Sequence, residues 1–197
     1  MIFSLVTCLC VIATAAGEDT DGDLGWSVLD IHNMVNVKET LVVLQRTHST
    51  NTKYHCQSAR RVEQLVNQAD QSAARVEGKD TSETYRYILR ARNDTTEKHE
   101  YVQGEVEVKI ENYGQHNKNR ASYKNSAHVT FKIYLLKEDD RKSCFVTFVD
   151  KSDGRQGCEI LSTLSTKDDS HNDCMDFFNE RCLGERVTLY QKDCEYI

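Results

Sequence analysis

One acidic side chain in an apolar segment is the residue of this sequence with the clearest potential for chemistry. Glu159 lies in residues 157–162, a short run that is typical of a β-strand. Successive strand residues face opposite sides, so Glu159 and Leu161 share one face while Cys158 and Ile160 share the other. If a helix covers the outer face, Glu159 points into the protein. A carboxylate there can neutralise a buried cation or accept a hydrogen bond from a tyrosine.

Aromatic and aliphatic side chains of other predicted strands would share this interior. Tyrosines alternate with arginines in residues 85–90, and apolar residues alternate with polar ones in residues 128–135. The predicted ligand-lining residues are Glu159, Phe145, Leu161, Tyr85, Tyr87, Phe131 and Ile133. Such a lining suits a lipid or sterol with a polar end about as well as an amine. For each aromatic residue taken singly, core packing is the simpler interpretation.

The cysteines indicate cross-links rather than a metal site. Of the eight, Cys8 and Cys10 lie in the N-terminal leader, which leaves an even number: Cys56, Cys144, Cys158, Cys174, Cys182 and Cys194. Six cysteines in an exported domain predict three disulfides, with 15 possible pairings that spacing alone does not decide. The sequence has no Cys-x-x-Cys pair and no histidine at a ligand spacing from a cysteine pair. We therefore predict no metal and no cofactor.

Length and charge limit the remaining classes. Residues 1–16 carry no charge and end in small residues, which predicts a cleaved signal peptide followed by one domain, residues 17–197. No later apolar run is long enough to span a membrane, so the sequence predicts a soluble, secreted protein. The net charge is −6, with basic and acidic residues interspersed. Without a basic stripe, a nucleic-acid partner is not expected.

Short alternating segments separated by polar turns predict an all-β architecture. A short helix is expected near Trp26, and residues 62–74 fit either a helix or a long loop. A second helix is predicted between an N-cap at Asp173 and a stop at Gly184, with Cys174, Phe178 and Cys182 on one face. Strands are predicted at residues 40–46, 53–59, 85–90, 102–111, 121–123, 128–135, 144–149 and 157–162.

Eight antiparallel strands predict an up-and-down barrel that can hold one small ligand. A two-sheet sandwich gives the same alternation, but the plain strand order with hairpin-length links and one helix at each end favours the barrel.

Other reactive groups suggest modification rather than catalysis. Asn93-Asp94-Thr95 is the only N-glycosylation sequon and lies in a polar turn, so Asn93 is a predicted glycosylation site. The seven histidines are scattered over polar faces and are interpreted as solvated surface groups. No Ser/His/Asp or Cys/His arrangement is recognisable, so an enzyme is not the predicted class.

The cysteine-bearing segments resemble the salivary lipocalins of ticks, the histamine- and serotonin-binding proteins. The similar segments are Cys144-Phe145-Val146, Gly157-Cys158-Glu159-Ile160, Cys174-Met175-Asp176-Phe177-Phe178-Asn179-Glu180 and Tyr190-Gln191-Lys192-Asp193-Cys194, together with Trp26 and Cys56. The resemblance implies an eight-stranded lipocalin barrel, a monomer secreted in saliva, that sequesters a small host mediator. It also implies the disulfides Cys56–Cys194 and Cys144–Cys174, and it leaves Cys158–Cys182 as the third.

The sequence departs from the amine-binding members at two ligand positions. Phe145 stands where those members carry an aspartate, and Leu161 stands where they carry Trp or Tyr, while Glu159 is retained. Since a buried amine needs a carboxylate, one carboxylate could serve one amine, with Glu159 as counter-charge, and two amine sites are hard to defend.

Two alternatives to amine capture therefore stay open. In the first, the barrel holds a hydrophobic lipid, sterol or leukotriene. In the second, the protein inhibits a host immune protein through its outer loops, with the barrel as scaffold.

Overall fold

The computed structural model describes residues 27–65, 83–95, 99–113 and 118–196, and within these ranges it is dominated by one antiparallel sheet. The predicted signal peptide and Trp26 lie outside the described residues. The strands are β1 Leu41–Arg46, β2 Tyr54–Leu65, β3 Thr84–Asn93, β4 Tyr101–Tyr113, β5 Lys118–Lys124, β6 Thr130–Glu138, β7 Cys144–Lys151, β8 Gln156–Thr163 and β9 Val187–Thr188. The helices are α1 His32–Val35, α2 Asn172–Arg181 and a 3-10 turn, Leu164–Thr166.

The predicted eight-stranded barrel is confirmed. Strands β2 to β8 pair in sequence order, β8 pairs with β1, and β1 pairs back with β2. Every pairing is antiparallel. Closing the sheet in this way removes exposed strand edges and leaves an inner face that is separate from solvent-exposed charges.

The seam between β1 and β2 is the weakest part of this closure, because only Leu41 with Ala59 and Val42 with Ser58 are paired there. Beyond that point the C-terminal tail lies between the two strands. The Leu189 amide donates to the Leu44 carbonyl at 2.9 Å, and the Leu189 carbonyl accepts from the Cys56 amide at 2.8 Å. The tail therefore completes the barrel wall where direct pairing stops.

The barrel has two recognisable ends. At one end α1 packs Met34 and Val35, together with its N-cap residue Ile31, into the same buried cluster as Tyr85 and Phe145. We call this the α1 end. The opposite end, formed by connections that include residues 47–53 and 152–155, is called the loop end.

Helix α2 lies against the outside of β7 and β8. It is held by the disulfides Cys144–Cys174 and Cys158–Cys182, and a third disulfide joins Cys56 to Cys194 in the tail. These are the pairs that the resemblance implies. Under the helix a second buried cluster contains, among others, Phe148, Ile160 and Phe178. The protein therefore has two separate hydrophobic cores. One lies inside the barrel, and the other lies between the outside of the barrel wall and α2.

Several element bounds differ from the sequence prediction. Helix α2 begins at Asn172, with His171 as N-cap in a left-handed conformation, so Asp173 lies in the first turn instead of at the cap. Gly184 follows the helix with φ +108°. Strand β2 continues to Leu65, so residues 62–65 are strand and not the predicted helix or long loop. The rest of that predicted segment, residues 66–74, lies outside the described residues. None of the helices in the described part of the chain has the length and apolar character needed to cross a bilayer.

Replacing Cys56 and Cys194 by serine is expected to lower the free energy of unfolding by about 2–5 kcal/mol, the usual effect of removing a native disulfide. In the same variant, the backbone amides of residue 56 and Leu189 should lose protection from hydrogen exchange, because the hydrogen bonds of these amides hold the tail in the seam. Urea unfolding and amide hydrogen exchange measure the two effects. As a control, Leu183→Ser at an 82% exposed position should change stability by less than about 0.5 kcal/mol. Unchanged exchange at Leu189 would contradict the role of the tail.

Candidate ligand site

The inner face of β7 and β8 carries the acidic group that the sequence singled out. Leu161 lies in the inner cluster with Phe145, whereas Cys158 and Ile160 lie in the outer cluster beneath α2. Glu159 follows the same alternation as Leu161, so its side chain faces the interior near the loop end. That side chain is 17% exposed, which leaves it reachable from solvent.

Histidine, not tyrosine, is the nearest partner of Glu159. The Nε2 atom of His48 lies 3.0 Å from Oε1 of Glu159, and the His48 side chain is only 1% exposed. The close approach depends on Gly157, since a Cβ there would lie 2.6 Å from Thr47 Oγ1 and 3.1 Å from the His48 nitrogen. The prediction that the histidines are solvated surface groups is therefore wrong for His48.

A second histidine also departs from that prediction. His171 is buried, and its Nε2 lies 2.8 Å from Ser162 Oγ beneath the helix-covered face. Its role is to hold the start of α2 against β8, so it lies apart from Glu159.

A β-bulge brings Arg46 to the same site. Val43 pairs with Leu161 but Gln45 pairs with Ile160, so the register of β1 shifts by one residue and Arg46 faces Glu159. Bulges re-aim side chains in this way. Arg46 is 7% exposed and donates from Nη1 to Gln57 Oε1 at 3.1 Å and from Nη2 to the Ser49 carbonyl at 2.9 Å.

Lys151, at the end of β7, is the second buried cation at the loop end. It is 6% exposed, its Nζ donates to Ser49 Oγ at 3.0 Å, and the same atom lies 4.8 Å from the centre of the Phe131 ring. Thr147, directly opposite Glu159 on β7, is 1% exposed. We refer to Arg46, His48, Thr147, Lys151 and Glu159 as the charged cluster.

Burial and mutual charge shift the pKa values of residues in the charged cluster. Burial alone would raise the pKa of Glu159, but the contact with His48 and the charges of His48, Arg46 and Lys151 outweigh it, and the pKa lies below the ordinary value. Burial lowers the pKa of Lys151 to about 8, with Glu159 opposing and Arg46 reinforcing the shift. Glu159 is thus an ionised carboxylate among cationic groups.

The two predicted tyrosines lie at the other end of the barrel. Tyr85 and Tyr87 are 2% and 7% exposed. The Tyr85 hydroxyl donates to Glu83, and the Tyr87 hydroxyl donates to the Val35 carbonyl of α1 at 3.2 Å. Burial, followed by the Glu83 contact, raises the pKa of Tyr85 to about 12. Both tyrosines serve to close the α1 end and do not converge on Glu159.

The other predicted lining residues divide between the two ends. Phe145 and Leu161 are buried near α1, whereas Phe131 and Ile133 lie further toward the loop end and are partly exposed. Phe131 stacks on Tyr123 with ring centres 4.6 Å apart. The structure therefore brings Phe131 and Glu159 to one half of the barrel. It adds Arg46, His48, Thr147, Lys151 and Tyr123, which sequence reasoning missed.

A different cluster meets a distance criterion for metal binding but lacks the chemistry. Ligand atoms of Asp139, Cys144 and His171 lie within 4.8 Å of one another, and this is the group found in the part of the chain that the structure describes. Cys144 is in a disulfide with Cys174, so it offers no thiolate. Asp139 accepts hydrogen bonds from the backbone of Ser143 and Cys144, which is a structural role.

Comparison with known proteins places this barrel among binding proteins. The sequence profile of the tick histamine binding protein family matches residues 21–196. Among solved structures, the chain is similar to Japanin from Rhipicephalus appendiculatus bound to cholesterol, with a TM-score of 0.51 and 12% sequence identity. That match covers 80% of this chain and 96% of the Japanin chain. No curated protein sequence matches this one.

Replacing Glu159 by glutamine is expected to lower the free energy of unfolding at pH 7 by about 2 kcal/mol, since Arg46 and Lys151 lose their compensating charge. The folded-state pKa of Glu159 is depressed below its ordinary 4.5, so the stability it contributes is present above that value and is lost as pH falls through the folded pKa. The free energy of unfolding of the wild type therefore exceeds that of the variant by less at acidic pH than at pH 7. Urea unfolding over a series of pH values from 7 downward measures this difference.

The matched control for this variant is Glu107→Gln on the exposed face of β4, where a change of less than about 0.5 kcal/mol is expected. A Glu159→Gln protein as stable as wild type at pH 7 would contradict the electrostatic role.

Proposed function

The chain belongs to the tick histamine binding protein family, and on that basis we propose that it is a secreted salivary lipocalin that sequesters one small host mediator inside its barrel. The family and the fold are those of ligand-binding proteins. Secretion is supported by three disulfides, which persist in oxidising compartments.

The carrying observation is the difference between the two halves of the barrel interior. Inward side chains at the α1 end are tightly buried, as in Tyr85 and Phe145, at 2% and 0% exposure. Nearer the loop end, three inward side chains of β5 and β6 are partly exposed, namely Tyr123, Phe131 and Ile133, although most of the charged cluster beside them is buried. An apolar region that solvent can reach, bordered by a few polar groups, is the usual composition of a ligand site.

The proposed ligand has an apolar body that contacts Phe131 and Ile133 and a polar end at the charged cluster. A lipid or sterol fits this description, and Japanin, with a similar barrel, has been crystallised with cholesterol.

A biogenic amine is the second candidate, which Glu159 favours as an interior carboxylate. Its weakness is that His48 lies 3.0 Å from that carboxylate and Arg46 lies directly opposite it. An amine would have to displace the positive charge already present.

Replacing Ile133 by tryptophan is expected to weaken binding of a fluorescent sterol probe, dehydroergosterol, at least about tenfold, because the larger ring fills the space beside Phe131. The control is Lys132→Trp, which puts the same ring at the neighbouring position on the other face of β6. Fluorescence titration measures both, and calorimetry with histamine and serotonin tests the amine candidate in parallel. If the wild-type protein binds neither the sterol probe nor an amine at micromolar concentration, the result contradicts capture of these ligands. The alternative of action on a host immune protein through the outer loops is then favoured.

Glycosylation of Asn93 is proposed as a further property of the secreted protein. Asn93 ends β3, and its Oδ1 accepts hydrogen bonds from the Thr95 amide at 3.2 Å and the Thr95 hydroxyl at 2.8 Å, which places the sequon in a turn at the surface. Expressed through a eukaryotic secretory pathway, the protein should lose the mass of one glycan on treatment with peptide N-glycosidase. Thr95→Ala removes the sequon and should abolish that shift, whereas Thr52→Ala, outside any sequon, should not.

A further inference from the structure

We propose that the segment between α2 and β9 is an inhibitory loop for serine endopeptidases that have an apolar specificity pocket, and that Leu183 is the residue that enters this pocket. Residues 182–186 are called the α2–β9 loop. This loop follows the helix on the outside of the barrel and shares no residue with the charged cluster. Its activity is therefore independent of ligand capture.

Leu183 is an apolar side chain without a packing partner. It is 82% exposed and belongs to neither hydrophobic core. The other exposed large apolar residues in the described ranges, Val62 and Val102, are only 49% and 45% exposed and lie within strands. A single exposed leucine is common on protein surfaces. The significance of Leu183 therefore depends on how the chain holds it.

The residue before Leu183 is fixed to the barrel wall. Cys182 is 1% exposed, its sulfur is bonded to Cys158 of β8, and its amide donates to the Phe178 carbonyl at 3.1 Å. The backbone of Cys182 is extended, with φ −94° and ψ 90°, so the chain leaves the helix at this residue. An extended segment can form backbone hydrogen bonds with a partner protein.

The residues at the other end of the loop are fixed as well. Arg186 donates from Nη1 to Asn179 Oδ1 at 2.5 Å and from Nη2 to the Asn179 carbonyl at 3.0 Å. Glu185 accepts from Thr50 Oγ1 at 3.2 Å, and Val187 starts β9, which pairs with β1. Two residues remain as the apex between these flanks. A loop whose shape is held before binding loses little conformational entropy when it binds.

The apex of the loop is open on the side of Gly184. A Cβ at Gly184 would have no atom within 4 Å, and the φ of +108° is one that glycine adopts readily. Because Gly184 has no side chain, a partner can closely approach the peptide bond between Leu183 and Gly184. The loop thus presents one free apolar side chain next to one accessible peptide bond.

The free side chain determines which class of protease fits. The S1 pocket of a serine endopeptidase takes the side chain that precedes the cleaved bond, and it is apolar in chymotrypsin but contains an aspartate in trypsin. Leucine suits the apolar pocket. Two arginines flank the loop, but Arg186 is held by Asn179, and Arg181 ends α2 directly before the buried Cys182. Neither arginine is therefore presented as Leu183 is.

The test measures inhibition of chymotrypsin, with trypsin in parallel, by the intact disulfide-bonded protein and a chromogenic peptide substrate. We expect inhibition of chymotrypsin at micromolar protein and no inhibition of trypsin. Leu183→Ser should raise the inhibition constant at least about thirtyfold, the usual effect of losing a hot-spot side chain. Leu183→Arg should transfer inhibition from chymotrypsin to trypsin, because the new side chain matches the acidic pocket.

Two further variants separate the apex from the rest of the surface. Val62→Ser makes a similar change at another exposed apolar residue and should leave the inhibition constant unchanged. Arg186→Gln releases one flank without changing the apex and should weaken inhibition several-fold, because the loop is then less ordered before binding. Urea unfolding shows whether each variant is folded, and substitutions at such surface positions change stability little.

The possible outcomes distinguish this activity from ligand capture. Absence of chymotrypsin inhibition overturns the inhibitory loop, whereas binding of the sterol probe is unaffected. Equal inhibition by wild type and Leu183→Ser overturns the role of Leu183. Rapid cleavage between Leu183 and Gly184 without inhibition, detected by mass spectrometry, identifies the loop as a substrate and also overturns it. Inhibition by a protein that binds neither the sterol probe nor an amine supports the loop and contradicts ligand capture alone.

Discussion

Closure of the sheet at the seam between β1 and β2 is the constraint on which the rest of the structure depends. Direct pairing covers only the first residues of β1, and the backbone of Leu189 supplies the missing hydrogen bonds to both strands. The disulfide between Cys56 and Cys194 keeps that segment in place. Without a closed wall, the inward side chains of β7 and β8 would border solvent, and Glu159 would lose the environment that gives it ion-pair partners.

The bulge at Leu44 determines the charge of the interior. Strict alternation from Leu41 would place Gln45 on the inner face and Arg46 on the outer face. Because Leu44 is unpaired in the register with β8, Gln45 faces outward and Arg46 faces Glu159. A single extra residue in one strand thus converts a neutral interior position into a cationic one. The approach of Gly157 to Thr47 then lets His48 continue on the same inner face.

The sequence was sufficient for the barrel and for the inward direction of Glu159, because both follow from short-range alternation next to a cysteine that must face a helix. It was not sufficient for the charged cluster. The cluster combines residues from three strands, Arg46, Lys151 and Glu159. Their proximity depends on the pairing register and on a bulge in β1, and neither can be predicted from the local sequence pattern. Tyr85 and Tyr87 were placed on the correct face, but alternation does not tell which end of the barrel a residue occupies.

The cross-links of the C-terminal third have a consequence for proteolysis. Helix α2 is attached to the wall through Cys174 and Cys182, and the tail beyond it is attached through Cys194. A peptide bond cleaved between Cys182 and Cys194 would therefore release no fragment, since each piece keeps its own covalent anchor. Cleavage of a peptide bond in the exposed segment around Leu183 would therefore leave both pieces attached to the barrel.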